Sequence, residues 1–471
     1  MDFKHIYTPL KCHKFLLACL INLAISSSSF AISNTEIKIL EKDFQQVTNQ
    51  FYSSLAKNLH ECRSRFHSLK SLNSQLNILA KENKDVIGIC LIQSHMPLIE
   101  ENIDSKEVFP VFQFLLNNNN LLIANRLYAK AKSDGDQSLL SNISFIYARY
   151  YLKRKKWKKV LKYIKGSYNN LTAEDGNLAR LFRGIALQKI KKHRTAVKIY
   201  SKIPQQSKYY PAARLNIATA YIRQDWWTDA HTKINEILTS KKIKTNSEMI
   251  NRLYLVLGYS LLRKEFYRDS REAFRNIEID SIYFNKALLG IALTATNQED
   301  YISALNAINI LKSKKTFDLS VDESHLLLPY TYEKLKQNMT ASASYTDAQK
   351  YYQQRIKNIT SIKNKKQYNV NAEDILNNNN YLNVDNNIIN FSNHYPVSFL
   401  ENSSQLNMLS KYTGYIKNKK LLNQYNSLKT KHNNSLSIMI SDIFDERLTY
   451  LNSYMNQSKF GLARLFDNSN I

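Results

Sequence analysis

The chain has 471 residues, with 66 Lys and Arg against 39 Asp and Glu, a formal net charge of +27 and 44% hydrophobic residues. It is longer than one ordinary domain, and its 9 glycines and 7 prolines are too few for the many tight turns of a β-sandwich or an α/β fold, which leaves a long run of helices. No internal apolar run approaches the roughly 20 residues of a membrane helix, so no transmembrane span is expected once the N-terminal segment is removed.

The N-terminus has the pattern of an export signal. Lys4, Lys11 and Lys14 precede an apolar stretch from Phe15 to Ile25, and Ser29 and Ala31 suit cleavage after Ala31. Residues 1–31 are therefore read as a signal peptide, and the mature protein as periplasmic or secreted. Two alternatives stay open: an uncleaved anchor helix, and lipid attachment at Cys19 within Leu16-Leu17-Ala18-Cys19. After cleavage only Cys62 and Cys90 remain, a pair expected to form a disulfide in an oxidising compartment; the alternative is two small buried hydrophobes. The spacing of His60, Cys62 and His67 fits no common zinc pattern, so no metal is expected. Export argues against nucleic acid as the partner of the basic charge. A basic exterior would instead favour lipid headgroups, cell-wall polymers or acidic proteins.

Residues 32–105 read as a helical cap, with helices over Ile37–His67 and Leu69–Leu79. From 106 to 356 one spacing returns seven times: a small or turn-packing residue, another twelve on, and an aromatic or aliphatic residue four after that. Gly184, Ala196 and Tyr200 show it, as do Gly258, Ser270 and Phe274. Ala148, Val160 and Ile164 precede them; Ala218, Ala230 and Ile234 lie between; Ala292, Ala304 and Ile308 follow. Phe112, Ala124 and Tyr128 and the set Pro329, Ala341 and Tyr345 are weaker copies. The first residues of the sets, here called anchors, recur at steps of 34 to 40 residues, a period that marks a helical solenoid. Leu181, Gly184 and Leu187 share one face of a first helix, and Ala196, Tyr200 and Ile203 share one face of a second. The small residue lets the two helices cross closely, and the large one fills the space beside it.

This pattern resembles the tetratricopeptide repeat (TPR), and the resemblance covers about half the chain. It implies an all-α solenoid of helical hairpins and, for the whole chain, an exported bacterial TPR protein. Beyond the repeats, the Asn/Lys-rich stretch 357–395 reads as a linker or mobile loop. Residues 396–471 regain helical pattern: Leu406, Leu409 and Tyr412 share a face, Ile438, Ile440, Ile443 and Leu448 form a stripe, and KFGLARLFD forms part of a further helix.

The sequence has no phosphate loop, dinucleotide turn, HExxH or GxSxG motif, so neither enzyme chemistry nor a cofactor is expected. The resemblance places first helices on the concave surface, where Lys153, Lys189, Arg223, Arg263, Asn297 and Lys334 recur five residues after an anchor, five of the six being basic. Arg149, Arg252, Tyr259 and Tyr330 would face the same groove. Two readings remain for this basic ladder: a binding groove, or cations in the last helical turn favoured by the macrodipole, worth about 0.3–1 kcal/mol each. The expected role is a non-enzymatic scaffold for a protein or peptide partner. The rivals are a binder of anionic envelope polymer or lipid headgroups, and an enzyme with an unrecognised C-terminal site.

Overall fold

The computed structural model describes residues 32–165, 170–239, 247–315, 317–364 and 370–469. Residues 1–31, which carry the export reading, lie outside them. After α1 (Asn34–Asn58), the pair α2 (Leu69–Lys81) and α3 (Asp85–Ser94), and the short α4 (Met96–Glu101), a series of helical hairpins follows. They are α5 (Val108–Asn117) with α6 (Leu121–Asp134), α7 (Gln137–Lys153) with α8 (Trp157–Ile164), α9 (Ala173–Lys189) with α10 (His193–Tyr200), and α11 (Tyr210–Ile222) with α12 (Trp227–Thr239). Then come α13 (Ser247–Arg263) with α14 (Tyr267–Arg275), α15 (Phe284–Asn297) with α16 (Tyr301–Lys312), and α17 (Leu319–Lys334) with the long α18 (Asn338–Asn364).

Each hairpin turns by the same backbone device. Seven residues after each anchor stands a non-glycine residue in the left-handed region: Asn119, Lys155, Lys191, Asp225, Glu265, Glu299 and Lys336, with φ between 52° and 65°. The next N–H bonds back to the carbonyl five residues earlier, as in Lys156 to Tyr151 (3.0 Å), Lys192 to Leu187 (2.9 Å) and Phe266 to Leu261 (3.0 Å). This is the Schellman closure of a first helix. The packing positions behave as the spacing predicts: Ala196, Ala218, Ala230, Ala292 and Ala304 are fully buried, Tyr200 and Phe274 nearly so, and Gly184 and Gly258 are buried as well. A Cβ on Gly184 would run into the ring of Tyr200. The fold is an all-α, TPR-like solenoid.

The cap holds more repeat structure than its sequence suggests. Asn83 has φ 55°, Lys84 N–H bonds to Leu79 O at 2.9 Å, and Leu76, Gly88 and Ile92 stand at the repeat spacing. The hairpin α2–α3 is therefore an eighth copy, hidden by a bulky anchor. The first helix expected over Ile37–His67 stops at Asn58 and passes into a 3₁₀ turn.

The described residues of the stretch 357–395 do not form the expected linker. α18 continues to Asn364, and 370–395 folds into α19 (Ala372–Asn377) and an antiparallel hairpin, β1 (Tyr381–Val384) with β2 (Asn387–Asn390). Leu382 and Phe391 are completely buried. Asparagines drive this local structure: Asn371 caps α19 in a capping box with Asp374, while Asp385 and Asn386 take the left-handed positions of the β-turn. α20 (Val397–Leu409) follows, and then a single helix of 51 residues, α21 (Lys419–Ser469), about 75 Å long at 1.5 Å per residue. Ile440 and Ile443 face the core as expected, whereas Ile438 is exposed.

α21 ties the two ends of the solenoid together. Near its start Tyr425 packs on Phe51 of α1, ring centroids 5.1 Å apart, and donates a hydrogen bond to Leu406 O of α20 at 2.6 Å. Further on it runs antiparallel to α18, with Asp445 paired to Lys363, Tyr454 beside Tyr352 and Gly461 under Tyr345. It therefore runs parallel to α17, with Arg447 paired to Asp322 and Arg464 to Glu333 at 2.6 Å. One continuous core joins the N-terminal hairpins to residues 348–451, while the hairpins between Leu215 and Leu328 hold smaller cores of their own.

Candidate interaction surface

The ladder cations sit at the ends of first helices because the Schellman turn follows within two or three residues and leaves carbonyls that favour a cation. The tertiary structure then divides the ladder into unlike parts. Lys153 ends α7 and pairs with Glu401 of α20 at 3.1 Å. Its neighbour Arg154, buried with its guanidinium 3.7 Å over the Tyr150 ring, grips the same carboxylate. Lys155 donates to Ser392 O at 3.0 Å, and Asn119 bonds both Asn402 and the Tyr150 hydroxyl. This first rung thus belongs to a seam that docks the C-terminal segment, with Arg154 buried in it and the Lys153 side chain at its exposed edge. The sequence pattern gave no sign of Glu401, since a lone acid on a helix has no period.

At the other end Lys334 lies 5.4 Å from the Tyr330 ring, next to the Glu333–Arg464 pair. Tyr259 donates its hydroxyl to Lys286 O at 2.7 Å and stands edge-on to Phe274 at 4.8 Å. It joins successive hairpins, and its hydroxyl is committed to the backbone. Lys189 lies 5.7 Å from the Trp157 ring of the preceding hairpin. Arg149 is exposed on α7.

The middle of the ladder does converge. Burial, then the charges of Arg252 and Arg263, push the Arg223 guanidinium below its usual range. Burial and the neighbouring Arg223 and Lys191 likewise hold the His193 pKa down. Asp225 lies 3.7 Å from Arg263 and 3.1 Å from Lys264, one carboxylate beside several cations. At the head of α15, burial pushes the Tyr283 hydroxyl pKa up while the charge of Arg252 draws it down. Two residues at this face were missed: Tyr283, and Lys286, whose ammonium is disfavoured by burial. Lys286 could have been found, because it lies six residues before its anchor, the register of Arg252. This arrangement concentrates positive charge and aromatic surface along first helices of consecutive hairpins, which suits an extended or acidic ligand.

Cys62 and Cys90 are both fully buried, with Cα atoms 5.6 Å apart, within the range for a disulfide. Among the described residues no cluster of His, Cys, Asp and Glu could hold a metal ion, and no helix is long and apolar enough to cross a membrane.

No family model matches the chain, and neither does any curated protein. Solved structures similar to it include the C-terminal part of a TPR repeat-containing protein from Cytophaga hutchinsonii (14% identity, 51% of this chain and 93% of that one, TM-score 0.40). Another is the apo form of the quorum sensor NprR from B. thuringiensis (16% identity, 75% and 99%, TM-score 0.34). A third is the TPR domain of P58(IPK) (11% identity, 78% and 98%, TM-score 0.18).

Proposed function

We propose that this protein is an exported, non-enzymatic scaffold of a bacterial envelope, holding a protein or peptide partner along the first helices of its middle hairpins. The observation that carries this reading is the run of Arg223, Arg252 and Arg263 on the first helices of neighbouring hairpins, where burial, then the charges of Arg252 and Arg263, disfavour the Arg223 cation and an anionic partner would add to the carboxylate of Asp225 beside Arg263. The C-terminal module supports a structural rather than catalytic role for its carboxylates: Glu401 pairs with Lys153 and Arg154, Asp445 with Lys363, and Glu446 with His394 at 3.0 Å. Export is supported by the N-terminal sequence pattern and by the close approach of Cys62 and Cys90. A bond between them would close a loop spanning 28 residues, worth about 3.5 kcal/mol in the chain-entropy model.

The test is capture from envelope extracts, run beside binding to purified cell-wall polymer and anionic vesicles at low and high salt. Protein capture that weakens with salt, and that fails in the triple variant R223S/R252S/R263S, is the expected result. Binding to polymer or vesicles alone would favour the rival reading, and full capture by the triple variant would overturn the site. Intact mass with and without reductant, on protein from its native envelope, reads both cleavage after Ala31 and the Cys62–Cys90 bond.

A further inference from the structure

α21 repeats the register of a first helix. The ring of Phe274, sixteen residues after the anchor Gly258, packs on Gly290 of the next first helix, two residues before the anchor Ala292. The ring of Tyr345, sixteen residues after the anchor Pro329, packs on Gly461 of α21 in the same way. Ala463, two residues further on, is thereby a ninth anchor, and α21 runs parallel to α17 as a next first helix must.

In the earlier hairpins the anchor and the residue three after it meet the second helix, as Gly184 meets Tyr200 and Tyr151 meets Tyr163, and the residue three before the anchor packs within the repeat core. Leu181, Leu187, Phe145, Tyr151, Leu289, Ala292 and Ala295 are buried there. In α21 the same three positions are Phe460, Ala463 and Phe466. Phe460 is 62% and Phe466 59% exposed, and Ala463 is exposed too. The antiparallel register with α18 brings Met339, 90% exposed, level with this end. A large exposed apolar stripe marks an interaction site.

We propose that the chain forms a twofold homodimer through this face, each copy's α21 lying where a second helix lies in the earlier hairpins. Two observations select a second copy as the occupant. First and second helices of a hairpin are antiparallel, and a twofold axis through Ala463 imposes that relation on two copies of α21. About Ala463 the sequence is also self-complementary: Phe460 falls opposite Phe466, and Lys459 opposite Asp467, so each copy sets a cation against its partner's carboxylate. Such an isologous contact closes on itself without propagating into a filament.

Sedimentation equilibrium of the full chain across micromolar concentrations tests this. The wild-type chain is expected at twice the chain mass. Ala463→Arg should return it to the monomer mass with its helical circular dichroism and melting temperature unaltered. Lys459→Asp and Asp467→Lys should each shift the equilibrium toward monomer, and the two combined should restore the dimer, an outcome that simple misfolding would not produce. A wild-type monomer throughout, a dimer unaffected by Ala463→Arg, or a charge-swapped double variant no better than either single change would overturn the proposal.

Discussion

Arg447 of the terminal helix reaches Asp322 of α17 in a contact where the two residues are 6% and 0% exposed. Arg355 of α18 approaches the same carboxylate at 3.6 Å and donates to Asn387 of the β-hairpin at 2.7 Å. The Tyr351 hydroxyl donates to Asp322 at 2.6 Å. One buried acid thus joins α17 to α21 directly and, through Arg355, to the β-hairpin.

Asp322→Ala should be among the most damaging single changes. It leaves two buried guanidinium groups without their carboxylate, a loss of about 3–5 kcal/mol. Denaturant unfolding followed by circular dichroism reads the magnitude. Proteolysis should cut first in 370–395, because the hairpin is released before the repeats melt.

The left-handed turn residues predict the opposite sign. Lys191 and Glu265 hold φ of 65°, a conformation that costs an L-residue about 1–2 kcal/mol. Glycine avoids that cost but loses about 0.5–1 kcal/mol in chain entropy. Lys191→Gly and Glu265→Gly should therefore stabilise by up to about 1 kcal/mol each, and Lys191→Val should destabilise. Chemical denaturation midpoints at constant m-value check both.

Gly184→Leu should overpack the crossing with Tyr200, because even a Cβ meets that ring. The expected cost is about 1–3 kcal/mol. Ala196→Gly, at the same crossing but without added bulk, should cost about 1 kcal/mol as a helix-interior glycine. Equal losses for the two would count against steric crowding at Gly184.

Stability should fall in mild acid. His432 of α21 is buried between α1 and α20, stacked on Phe399 at 4.9 Å, with Nδ1 3.0 Å from Ser403 Oγ. Burial pushes its pKa down to about 4. The unfolded chain, with an ordinary value near 6.5, then binds the proton more readily, so the contribution is intact above about pH 6.5 and is lost as pH falls toward 4. The full span is worth about 3 kcal/mol. His325, held down to about 3 by burial and then by the charges of Lys312 and Arg355, adds in the same direction. Melting temperature against pH should drop over this window, and His432→Gln should flatten the profile.

The repeat was legible in the residues because its determinants are local and periodic. Gly184, Ala196 and Tyr200 lie within one hairpin, and close helix crossing demands a small residue and a filler at the same spacing each time. That alone determined the all-α solenoid and which alanines and glycines of the seven sets are buried. It also put basic residues at the ends of first helices, since the Schellman turn and the macrodipole recur with the period. What those residues do was decided only by tertiary structure. Lys153 became part of a seam because Glu401, far along the chain, docks against it, whereas Arg223, Arg252 and Arg263 were drawn together across neighbouring hairpins. The Asn-rich stretch 370–395 carried no apolar periodicity, yet it folds because Leu382 and Phe391 join the continuous core and Asn387 accepts a hydrogen bond from Arg355 of α18. Long-range contacts of this kind leave no period in the sequence, because each is made once.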